Sequence, residues 1–150
     1  MDIDWNIVSS VATGVAAVVA ALGLWFGAWQ IKIGKDQAQA TFEDSLDQQY
    51  RSLSMALPVN VLLGGKVEAA DTAKIRELIF NYLDLSNEQV SHRVTGRISS
   101  ATWKSWALGM KLHLNKQAFS DVYTEIKDRA NFTYLDRLID SGFENDPKSW

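Results

Sequence analysis

The chain contains no cysteine, which removes disulfides, thiolate metal ligands and thiol nucleophiles while leaving the redox compartment open. It has only 2 prolines in 150 residues, so few positions force a helix to stop. Basic residues are scattered rather than clustered: 15 Lys and Arg stand against 18 Asp and Glu, a net charge of −3. A surface that displaces counterions from phosphates needs the reverse, so nucleic acid is excluded as a partner. There is no G-x-x-x-x-G-K-[ST] phosphate cradle, no G-x-G-x-x-G fingerprint and no G-x-S-x-G nucleophile turn. With no constellation of residues to which catalytic roles can be given, the sequence predicts a non-enzymatic protein without a cofactor or metal. No run of alternating β-branched residues predicts a sheet, and the expected class is all-α.

What is present is unevenly distributed. From Ile7 to Ile31 no residue ionises, and about 25 helical residues at 1.5 Å each reach roughly 37 Å, enough for a hydrocarbon core of about 30 Å. Trp5 stands at one edge, with Trp25, Phe26 and Trp29 near the other, where amphipathic rings settle at headgroup level. Lys32 and Lys35 close the segment. A cleaved signal peptide has a basic start and a shorter apolar run, whereas Asp2 and Asp4 make this start acidic. The segment is therefore expected to be an uncleaved transmembrane anchor. Because Lys and Arg are retained on the cytoplasmic side, Lys32 and Lys35 place the N-terminus outside and the rest of the chain in the cytoplasm.

Within this segment the small residues share one face. At 100° per residue Ser9, Ala12, Thr13, Ala16, Ala20, Gly23 and Gly27 all fall within about 60° of one line. Helices in lipid associate by close backbone approach, which small residues permit, and Gly23 to Gly27 has G-x-x-x-G spacing. The face predicts a helical partner in the bilayer, either another subunit or a second copy of the chain.

Beyond the anchor (1–34), Ala38, Phe42, Leu46, Tyr50, Leu53 and Leu57 recur at helical steps, predicting a juxtamembrane amphipathic helix over 35–57 that continues the anchor. Glu43, Asp44, Asp47 and Arg51 fall elsewhere on the cylinder and read as its solvated side. Pro58 and the Gly64-Gly65 pair predict a linker over 58–70. A soluble helical bundle is expected over 71–150. Its first helix is capped by Asp71, carries Ile75, Leu78, Ile79, Tyr82, Leu83, Ser86 and Val90 inward, and stops at Gly96. The second is capped by Ser99 or Ser100 and carries Trp103, Trp106, Ala107, Met110 and Leu114. A third bears Ala118, Phe119, Val122, Tyr123 and Ile126. The last runs from Asn131 to Gly142, and the polar tail from Glu144 is expected to be loose unless Trp150 docks.

Asp84, Glu88 and His92 stand four residues apart, a spacing that would let them converge on an ion, but they lie opposite the apolar stripe and read as a solvated face. His113 reads as a surface residue or a satisfied core residue. Arg93, Arg97, Lys104 and Lys111 form at most a loose basic patch for lipid headgroups. Phe80 points away from the Ile75 stripe by about 140° at helical pitch, which predicts exposure and a partner contact.

The stretch from Tyr82 to Glu88, Gly96-Arg97-Ile98, and Trp103-x-x-Trp106 ahead of Ala118-Phe119 resemble bacterial single-span membrane proteins of an uncharacterised family, which pair one N-terminal span with a small helical domain. The resemblance implies that architecture and carries no activity. The functional expectation is an accessory or scaffold subunit of a bacterial inner-membrane complex. The alternative is a self-associating effector of stress or phage defence.

Overall fold

The computed structural model describes residues 5–68 and 71–150, and only the backbone of residues 5–8 and 10–12. The described chain is all-α: α1 (Trp5–Ala56), α2 (Val59–Leu62), α3 (Thr72–Val94), α4 (Ser100–Leu114), α5 (Gln117–Ile126) and α6 (Thr133–Asp140), followed by a 3-10 turn at Pro147–Ser149. No strand occurs among the described residues. The chain forms two compact units, Met1–Ala40 and Thr41–Trp150. Helix α1 passes Gly34 unbroken, as expected where a single Gly costs only about 1 kcal/mol.

In the second unit α3 is the central element, with α5, α6 and the terminal turn as its neighbours. It buries more than one face: Ile75, Ile79, Tyr82 and Leu83 pack with Phe119, Val122, Ile126 and Leu135, while Leu85 and Val90 join Leu46, Ile98, Trp103 and Met110. Each fully buried apolar side chain of this kind contributes about 1.5–3 kcal/mol. The part of α1 beyond Thr41 belongs to this core through Leu46, Tyr50, Leu53 and Leu57. Where a linker was expected, α2 forms and Val61 is completely buried.

Local signals act where both partners are close in sequence. At the end of α3, Arg97 N–H donates to His92 O and Gly96 N–H to Arg93 O, with Gly96 at φ +72°, a conformation that favours glycine. Ser99 caps α4, its hydroxyl accepting from Thr102 N–H at 3.2 Å. Asp71 does not act as the expected cap, since its side chain makes no capping bond and its backbone is already helical. Helix α6 starts at Thr133 rather than Asn131 and is capped from another helix: Asn87 of α3 accepts from Tyr134 and Leu135 N–H, both at 3.1 Å. The tail is not loose. Pro147 is buried, and Arg137 lies 4.4 Å over the Trp150 ring.

Candidate membrane segment and the cleft beside Trp106

Between Thr13 and Ile33 the residues of α1 are exposed on every side apart from a half-buried Gly27. Leu24 is 78 % and Trp25 68 % exposed, so the apolar surface of this one helix is not spent on packing within its own chain. Water would penalise it, whereas lipid or another helix would not. The helix is long and apolar enough to cross a membrane. Trp25 stacks on Trp29 at 6.4 Å, and Phe26 meets Trp29 edge-on at 5.7 Å, forming one aromatic turn ahead of exposed Lys32 and Lys35. Ser9, Thr13, Ala16, Ala20, Gly23 and Gly27 all lie on this helix. A Cβ built at Gly23 or Gly27 would meet no atom within 4 Å. Thr13 donates its hydroxyl to Ser9 O at 2.9 Å, which satisfies a polar group that lipid would leave unpaired. The side chains of Trp5 and Ala12 lie outside the described residues.

On the polar side of α1 in the second unit Asp44 and Arg51 are exposed as expected, but Glu43 and Asp47 are partly buried and engaged. Glu43 takes the start of α4 in its carboxylate: Ser99 N–H donates to Oε1 at 2.5 Å and Thr102 Oγ1 to Oε2 at 2.5 Å, placing a negative charge at a helix N-terminus. One turn on, Asp47 Oδ1 accepts from the Trp106 indole N–H at 2.8 Å. These acids went unread in the sequence because their partners stand 56 and 59 positions away.

Beside Trp106 a cleft of about 330 Å³ opens between α1, α3 and α4. Tyr50 and Tyr82 supply aromatic wall, Asp47 and Arg51 one charge of each sign, and Gln89 and Gly109 complete it. Gln89 is 5 % exposed as a whole residue; no described residue hydrogen-bonds its carboxamide, whose polar atoms are open to the cleft. Gly109 lies inside α4, and a Cβ there would meet nothing within 4 Å. Under the cleft, His113 packs with Tyr50, Tyr82 and Phe119. Its Nδ1–H donates to Gly109 O at 2.8 Å, since a carbonyl only accepts. Burial pushes the imidazole below its ordinary value, partly offset by that bond and reinforced by Lys116. Burial raises the Tyr82 hydroxyl, with Ser86 opposing and Tyr50 adding to the shift, so it stays protonated.

Asp84 and Glu88 are exposed, and Glu88 meets His92 at 3.3 Å. Among the described residues no three His, Asp or Glu side chains are grouped to hold a metal ion. Arg93 does not belong to a headgroup patch. It is buried, donating to Asp146, to Ile98 O at 2.7 Å and to Ser100 Oγ at 3.0 Å. Lys111 donates to Gly142 O at 3.3 Å, while Arg97 and Lys104 are exposed. Phe80 is exposed as its helical phase predicts, although one face of its ring meets Phe132 at 5.8 Å.

No protein-family model, curated protein or solved structure matches the chain.

Proposed function

We propose that this protein is a non-enzymatic, membrane-anchored accessory or scaffold subunit. In this reading α1 spans a bacterial inner membrane with its N-terminus outside and packs through its small-residue face on a transmembrane helix of another subunit. The Thr41–Trp150 unit stands in the cytoplasm to meet a partner. The observation that carries the reading is the apolar stretch of α1 that is exposed from Thr13 to Ile33 apart from Gly27 and closed by an aromatic turn and two lysines. Such a surface is stable in lipid and unstable in water. The face from Ser9 to Gly27 supports close approach of a second helix, because no atom of the described residues lies within 4 Å of a Cβ built at Gly23 or Gly27. Lys32 and Lys35 support the orientation.

Extraction of the tagged protein in mild detergent, mass determination of the intact assembly and identification of each co-purifying chain test this reading. Other membrane subunits in fixed ratio are expected, and Gly23→Leu or Gly27→Leu releases this chain from them. An assembly made only of copies of this chain would replace the accessory role with self-association.

A further inference from the structure

We propose that the cleft beside Trp106 is a binding site for a small, neutral, planar heterocycle with a hydrogen-bond donor and acceptor side by side, as a nucleobase presents them.

The first support is Gln89. The residue is mostly covered and lines the cleft, and its carboxamide, which makes no hydrogen bond among the described residues, keeps its polar atoms open to the cleft. By contrast, Ser86 donates to Tyr82 O at 2.8 Å, and Arg93 uses Nε, Nη1 and Nη2. A glutamine amide presents a donor and an acceptor in one plane and pairs in two-pronged fashion with the edge of a base such as adenine.

The second support is Gly109, which is independent of the first. It sits in the middle of α4, has no positive φ and no close neighbour, and so meets no backbone or packing demand for glycine. Alanine there would stabilise the helix by about 1 kcal/mol. What glycine does provide is room, because the missing side chain would project beside the cleft it lines.

The rest of the wall fixes the class of ligand. Trp106, Tyr50 and Tyr82 offer aromatic surface, on which bases stack irrespective of their identity. Asp47 and Arg51 contribute opposite charges that cancel, which disfavours a strongly ionic ligand. Asp47 Oδ1 is held by the Trp106 indole, leaving Oδ2 to accept from an exocyclic amine. A volume of about 330 Å³ admits a small molecule and lies at the lower end of ligand sites.

The test is isothermal titration of adenosine, guanosine and uridine, each to about 1 mM, into the full chain in lipid nanodiscs. Wild type, Gln89→Leu and Gly109→Leu are compared, with a circular-dichroism melt of each to establish folding. At least one nucleoside is expected to bind saturably, at least about tenfold more weakly to Gln89→Leu. Gly109→Leu, which fills the cleft from an unobstructed position, is expected to abolish binding while melting no lower than wild type. Absence of binding by all three nucleosides to the folded wild type overturns the proposal. So does binding that persists unchanged in folded Gly109→Leu, which remains decisive if Gln89→Leu does not fold.

Discussion

The Arg93 guanidinium, 2 % exposed, grips the carboxylate of Asp146, which lies 53 positions further along the chain, through both Nε and Nη2. The pair ties the C-terminal turn to the end of α3. Hydrogen bonding from Arg93 holds the Asp146 carboxyl below its ordinary value; burial opposes this, while the Lys148 amide and the nearby positive charges assist. The folded state therefore binds that proton more weakly than the unfolded chain. The stabilisation is complete above the ordinary carboxylate range and is lost as pH falls through the depressed folded value. Asp146→Ala, which leaves a buried cation partly unpaired, should lower stability at neutral pH by about 2 kcal/mol. Arg93→Met should cost less than Arg93→Ala, because it keeps the buried volume. Urea midpoints at neutral and acid pH check both, and the acid-side loss should shrink in Asp146→Ala.

His113 gives the domain a second pH dependence at higher pH. Its imidazole is held below 6.5 chiefly by burial, so the unfolded chain takes up the proton first. Stability is complete above the unfolded value and declines as pH falls below it, towards the depressed folded value. His113→Phe keeps an aromatic ring against Tyr50, Tyr82 and Phe119 and removes the titration. Melting temperatures measured either side of the ordinary histidine value should fall with acid more steeply in wild type than in His113→Phe. Parallel curves would remove His113 as the source.

Asn87 caps α6 across the fold, so Asn87→Ala should cost about 1 kcal/mol, the usual loss for a missing cap. Asn87→Asp keeps the accepting oxygen and puts a negative charge at a helix N-terminus, and should recover most of that loss. Hydrogen exchange at the Tyr134 and Leu135 amides, faster in Asn87→Ala and restored in Asn87→Asp, separates a lost cap from a general loosening.

These contacts also show what the sequence could and could not reveal. The stripes of α3, α4 and α5 were legible because each helix buries apolar residues at its own period, and Ser99 and Gly96 were legible because cap and partner lie within five residues. Asn87, Glu43 and Asp47 were not, because helical phase marks them only as polar, and whether a polar group is solvated or clamped depends on residues about fifty positions away. Asp146 and Trp150 belong to a tail with no periodicity, and only the fold places Arg93 and Arg137 against them. The cleft did leave a trace. Gln89 shares the inward phase of Ser86 and Arg93 on α3, and Gly109 interrupts an otherwise good helix former; each taken alone looks ordinary.

The claim on which the rest depends is that α1 crosses a membrane once, with the N-terminus outside. The absence of cysteine makes this directly measurable, since single cysteines at Asp2→Cys and Asp140→Cys report the two ends without background. A membrane-impermeant maleimide applied to intact bacterial spheroplasts should label Asp2→Cys at once and Asp140→Cys only after permeabilisation. Equal labelling of both positions before permeabilisation, or recovery of the protein in the soluble fraction, would contradict the account.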